Sequence, residues 1–284
     1  MSDFLTTMFD PSISFLKYAL IAGLLSSFAF GIVGTYVVSR RISYIAGAIS
    51  HSVLGGIGIG LYLQVHYNSA WFNPMTGAFA SAMVSALIIG YVTRHGNQRE
   101  DTVIGAIWAI GMAVGLLFIA RTPGYIDPMS YLFGNILMIT QTDLWLIAGL
   151  DAVIVIIAIL FYNTLQAISF DEEFAYLRGI NVNFFFLLLL CLTAMTIVVL
   201  VRIVGIVMVI ALLTLPAGTA GIFTKKLSQM MIIAILLCMV YTTIGLSFSY
   251  INDFPTGPTI ILISGIFYIL AVAVSSWRKK GKQF

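Results

Sequence analysis

One imidazole stands inside an apolar, glycine-rich stretch, RRISYIAGAISHSVLGGIGIGLYL, residues 40–63, which opens on two arginines. Over a helix from 42 to 63, rising 1.5 Å per residue, His51 falls about 14 Å from the arginine end. Residues four apart share a helix face, so Ser43, Gly47, His51 and Gly55 form one row, continued by Gly58. Two readings fit an imidazole on a row of small residues. It ties helices together through hydrogen bonds, or it lines a path on which a cation binds weakly and leaves, because neutral imidazole is a common metal ligand.

A second chemical set lies in YNTLQAISFDEEFAYLRGINVN, residues 162–183. Asp171, Glu172 and Glu173 fall in the first turn of a helix that Ser169 can N-cap, where the helix dipole favours carboxylates. Arg178 with Gly179 reads as the stop, and Phe170, Phe174 and Leu177 recur at i, i+4 and i+7. Helices that lie on lipid carry Lys and Arg on their polar face. Three acids against one Arg point to docking in a protein groove instead.

The remaining candidates are sparser. In SYINDFPTGPTI, 249–260, Asp253 is either a capping residue of a rigid loop or part of a pore mouth. In RIVGIVMVIALLTLPAGTAGIF, 202–223, Pro216 with Gly218 predicts a broken or hinged helix, since proline removes a backbone donor. Asp151 lies about a third of the way down its segment and could serve an ion-coupled relay. Cys191 and Cys238 both sit in apolar runs and suggest no disulfide framework.

The elements that position these residues are set by composition. Of 284 residues, 60% are hydrophobic and 9% charged, with a mean hydropathy of +1.04, which is the profile of an integral membrane protein rather than a soluble domain. Apolar segments long enough to cross the hydrocarbon layer fall at 14–38, 43–63, 72–93, 102–120, 144–163, 182–201, 203–222, 229–249 and 257–277. With nine crossings the clusters Arg40/Arg41, Arg94/His95/Arg99, Lys225/Lys226 and Arg278/Lys279/Lys280/Lys282 share one side. By the positive-inside rule that side and the C-terminus are cytoplasmic, and the N-terminal MSDFLTTMFDPS is outside. Arg202 is the one charge between two of the segments, so one of them could be broken or re-entrant. The net charge of +3 is too small and dispersed for a nucleic-acid footprint. No cluster of nucleophile, base and orienting group supports an enzyme, and His66 and His95 are placed in loops on opposite sides.

Four stretches in order, RRISYIAGAISHSVLGG, SFDEEFAYLRGINV, VRIVGIVMVIALLTLPAGTA and DFPTGPTI, resemble the ABC-3 permease subunits of ATP-binding cassette importers for zinc, manganese or iron. They run from residue 40 to 260 and so cover most of the chain. The resemblance implies an all-α, polytopic permease of the vitamin B12-importer-like type II, with eight to nine transmembrane helices in one domain, 1–284. It implies a homodimer in the bacterial cell (inner) membrane, a separate cytoplasmic ATP-binding subunit, an extracytoplasmic metal-binding protein, and a transported metal ion in place of a tightly bound cofactor. The chain holds no G-x-x-x-x-G-K-[ST] loop with which to cradle ATP.

By the same resemblance, the linker at about 165–180 is the coupling helix, and His51 is the family's histidine on the metal pathway. In zinc and manganese permeases an aspartate usually precedes that histidine by four positions, and here Gly47 stands there. Only the imidazoles remain, assisted by Ser50, a carbonyl or water, which leaves zinc, manganese, iron or a metal chelate open as cargo. An ion-coupled secondary transporter is the alternative from another class.

Overall fold

The computed structural model describes residues 14–67, 71–95, 99–124, 128–134 and 136–280. The N-terminal residues on which the outside orientation rested, and Lys282, lie outside these. Among the described residues, nine helices are long and apolar enough to span a membrane. They are α1 (Ser14–Ser39), α2 (Ser43–Tyr67), α3 (Pro74–His95), α4 (Glu100–Arg121), α6 (Gln141–Leu160), α9 (Val182–Val204), α10 (Ile206–Phe223), α11 (Leu227–Asn252) and α12 (Thr256–Lys280). Among the described residues three short α-helices, α5 (Pro128–Phe133), α7 (Tyr162–Phe170) and α8 (Glu172–Leu177), and one 3-10 turn, Ile136–Met138, join them. The all-α reading holds, and both α9 and α10 are full-length rather than half-spans.

Helix ends follow local chemistry. Thr140 and Asp143 close a capping box at the start of α6, and the Asn181 side chain accepts from the Phe184 N–H at the start of α9. Gly205, at φ +83°, turns the chain between α9 and α10 and lies against the backbone of Gly134, where no Cβ would fit. Successive spans reverse direction, so the α1–α2 turn, the end of α3, the α7–α8 corner and the α10–α11 turn gather at one end, here the basic end.

Helices α1 and α2 are largely buried, while α4 and α12 are largely exposed. The exposed faces are apolar, with Ile110 and Leu117 on α4 and Leu262 and Ile269 on α12, as a lipid-facing surface requires. The α2 helix is seated through its glycines. A Cβ on Gly56 would collide with the Gly77 carbonyl of α3, and one on Gly55 would stand 2.8 Å from the Gly111 carbonyl oxygen of α4. Small residues thus bring the backbones together, the usual device of helix association in lipid.

Three expectations are corrected. The single helix capped by Ser169 is two helices, because Asp171 adopts an extended conformation and accepts from the Phe174 N–H at 2.9 Å. Ser169 is in the last turn of α7 and donates to the Leu165 carbonyl, and Phe170 belongs to α7 rather than to the helix carrying Phe174 and Leu177. Pro216 does not break its segment: α10 runs through it, buried, while Thr214 and Thr219 donate back to the carbonyls of Ile210 and Leu215. His66 and His95 lie in the last turns of α2 and α3, stacked on Tyr62 and Tyr91, rather than in loops.

Candidate functional site

The mid-span site is built by the α2–α4 seam. Gly111 lies so close to α2 that a Cβ there would come 2.5 Å from Ser52 Cα. This close register lays the Trp108 indole of α4 over the His51 ring, with centroids 4.4 Å apart and planes 16° apart. The same indole covers Gly47, where a Cβ would stand 3.1 Å from Trp108 Cζ3. His51 Nδ1 is buried without a hydrogen-bond partner, and the ring as a whole is partly exposed. Ser50 is fully buried and donates to the Ala46 carbonyl at 2.8 Å. Its hydroxyl is therefore spent on its own helix. Ser52 ties α2 to α3 instead, accepting from Ser85 at 2.8 Å.

A second assembly stands at the basic end. The Glu172 carboxylate is bound by Arg40, from the α1–α2 turn, and by both terminal nitrogens of Arg94, from the last turn of α3, at 2.8 and 3.2 Å. The two guanidinium groups lie over the Phe186 ring of α9, 4.8 and 4.5 Å from its centroid. Burial alone would raise the Glu172 carboxyl, but the Arg94 hydrogen bonds and the two positive charges outweigh it and hold the group below the usual carboxylate range. It is therefore ionised at neutral pH.

Next to this carboxylate, α8 faces outward with Phe174, Tyr176 and Leu177 exposed, and Phe170 is exposed on α7. Arg178 stacks over Phe174 at 4.7 Å. Gly179, at φ +78°, and Ile180 close the helix by bonding to the carbonyls of Tyr176 and Ala175, the Schellman arrangement that glycine favours. A groove of about 940 Å³ runs alongside, its lining including Arg94, Glu172, Glu173, Tyr176, Leu177 and Asn183.

The other candidates lie apart. Asp253 caps α11 at the far end in a left-handed conformation, φ +53°, exposed, and lines a cavity of about 310 Å³ with Tyr250 and Thr256. Gly218 leaves room for Tyr268, whose ring would meet a Cβ at 3.3 Å. Asp151 accepts from the Ala29 N–H of α1 at 3.1 Å, a helix-to-helix tie. Among the described residues no three His, Cys, Asp or Glu side chains gather closely enough to hold a metal ion.

Residues 12–275 match the family described as the ABC 3 transport family. The chain belongs to this family. A relative in Synechocystis, known as an uncharacterized membrane protein, is 42% identical, with 94% of this chain and 95% of that one covered. The manganese transport system membrane protein MntC of Halalkalibacterium halodurans is 33% identical over 97% of this chain and 96% of its own. Among solved structures, PsaBC from Streptococcus pneumoniae in complex with Fab is similar at a TM-score of 0.83 and 28% identity, covering 95% of this chain and 94% of that one. This ABC 3 chain is thus a multi-pass membrane protein of a transport family.

Two features of the ABC 3 chain escape sequence reasoning. Trp108 carried one signal, an indole in mid-span within GAIWAIG, where tryptophan ordinarily prefers the membrane interfaces. The partners of Glu172 carried none, being 132 and 78 residues away.

Proposed function

We propose that this chain is the membrane-spanning permease subunit of an ATP-binding cassette importer that moves zinc, manganese or iron into the bacterial cytoplasm by alternating access. In this reading two copies form the permease. The basic end with the C-terminus is cytoplasmic, an ATP-binding subunit docks on α7–α8, and an extracytoplasmic protein delivers the metal. Family membership and the relative named for manganese transport support the cargo class.

The observation that carries the reading is the partly exposed His51 imidazole in the middle of a spanning helix. Metal-ligating histidines normally donate their second ring nitrogen to an acceptor that raises their basicity. Within this chain His51 Nδ1 has no such acceptor, and among the described residues no three His, Cys, Asp or Glu side chains gather to hold a metal ion, so an ion on the ring meets an open ligand set and can leave. An importer needs a transit ligand of that kind, since tight binding would stop transport. The ion enters near Asp253, passes the His51 side chain of each copy, and is released when motion of the α7–α8 corner opens the inner side, with Pro216 and Gly218 as the hinge of α10. Phe170, Phe174 and Leu177 supply the apolar anchors for the ATP-binding subunit.

The test is metal accumulation in cells lacking their own importers, expressing this chain with its ATP-binding and metal-binding partners, read by elemental mass spectrometry for zinc, manganese and iron. One metal accumulates, and His51→Ala returns it to background while the ATP-binding subunit still co-purifies. Accumulation by His51→Ala at the wild-type rate would leave His51 a packing residue.

A further inference from the structure

We propose that Glu172, held by Arg40 and Arg94, is the positioning residue that carries movement of the α7–α8 corner into α2, the helix that bears His51. This rests on the transport reading above and adds to it the route of the motion.

Glu172 differs from the other acids of its segment. Asp171 caps its own helix and Glu173 lines the outer groove, whereas Glu172, on the edge of that groove and 39% exposed, joins three elements through one carboxylate. The apolar packing of α8 is to its neighbours in sequence, Ala175 lying buried with Ile168 of α7 and Val182 of α9. Its link to the α1–α2 turn and to α3 runs through the ion pairs.

Both ends of this link are stiff. On one side, the Asp171 cap and the Gly179 closure hold α8 as a single rigid turn. On the other, Arg41 N–H bonds to Val38 and Ile42 N–H to Val37, each at 3.0 Å, closing the α1–α2 turn immediately before α2 begins at Ser43. Arg41 accepts a left-handed φ of +58° in that closure, a conformation that costs a non-glycine residue about 1 kcal/mol or more. A displacement of Arg40 is therefore a displacement of the start of α2, and His51 follows about 12 Å along the same helix.

The link is also intolerant of half-measures. The Arg40 side chain is only 8% exposed, and both guanidinium groups share the Phe186 ring. Withdrawing the carboxylate alone would leave two like charges stacked together with Arg40 8% and Arg94 19% exposed, a costlier arrangement than a fully exposed pair. The cluster thus moves as a unit or comes apart.

The experiment uses the complete complex of permease, ATP-binding subunit and metal-binding protein, with two readouts. In vesicles, metal moved per ATP hydrolysed is expected to fall roughly fivefold or more in Glu172→Gln, to be partly retained in Glu172→Asp, and to recover when Glu172→Arg is combined with Arg94→Glu. That combination again places one carboxylate between two guanidinium groups.

In detergent, spin labels on the two copies of Tyr67, the exposed last residue of α2, report the nucleotide-driven change in their separation. Labels on Leu177 report that of α8. In Glu172→Gln the α8 labels are expected to respond while the α2 labels do not. Wild-type coupling in Glu172→Gln, or α2 labels that still follow nucleotide, would overturn the proposal. Joint loss of assembly and both label responses, unrescued by the paired substitution, would also overturn it by making the ion pairs structural. If the wild-type complex moves none of the three metals yet its α2 labels follow nucleotide through Glu172, the cargo reading fails and the linkage stands.

Discussion

His51 and Glu172 are ionisable groups placed by opposite means. His51 sits in mid-span among glycines that let the neighbouring helices approach, and its one close ring neighbour among the described residues is an uncharged indole. Glu172 sits at the membrane edge, where two guanidinium groups and an aromatic face have been brought to it. The difference follows from solvation. In the hydrocarbon region an uncompensated charge is prohibitively costly, so a neutral imidazole is positioned by packing and left with little to bind it. At the edge a charge persists if it is paired, and a paired charge can connect helices that do not otherwise pack. On the proposed reading one region holds an ion loosely and the other transmits force.

Three substitutions separate these regions. The largest effect is expected from Gly56→Leu. Its new side chain must displace the Gly77 backbone and Ser81, whose Cβ would be 2.6 Å from the new Cβ, and backbone cannot give way as a side chain does. A loss of more than ~3 kcal/mol is expected, read as failure to purify a monodisperse permease. A stable Gly56→Leu protein would show that close backbone approach does not place His51.

Phe174→Asp is expected to act only at the basic end. A charged group replaces an exposed aromatic anchor, so the ATP-binding subunit is lost on purification, while the thermal stability of the permease alone changes by about 0.5 kcal/mol or less. Retention of the subunit would remove α8 from the docking surface. The smallest effect is expected from Asp171→Ala, which removes the cap on Phe174 N–H at a cost of about 1 kcal/mol. Amide hydrogen exchange should quicken across 172–180 and stay unchanged in α2. Faster exchange in α2 as well would extend the coupling to the cap itself.

How much of this was legible in the chain varies with the range of the interaction. The nine spans were readable because membrane helices announce themselves by length and hydropathy, and the helix bounds differ from the expected ones by a few residues. The stop at Gly179 was readable because a left-handed closure is a local demand that glycine meets. The start of α8 was misplaced by two residues, since Ser169 and Asp171 are both competent caps and nothing local decides between them. Pro216 read as a broken or hinged helix; its neighbours Thr214 and Thr219 bond to carbonyls within the same helix and α10 continues, which removes the break and leaves the hinge.

The sequence by itself determined that this chain spans a membrane repeatedly, that an imidazole lies in mid-span, and that an acidic, aromatic corner lies between two spans. Each is a matter of composition or of spacing within a few turns. Only the tertiary structure decided that Trp108 covers Gly47 and His51, and that Glu172 pairs with Arg40 and Arg94. Those choices depend on the relative register of helices far apart in the chain, and in lipid that register is set by which small residues let two backbones touch.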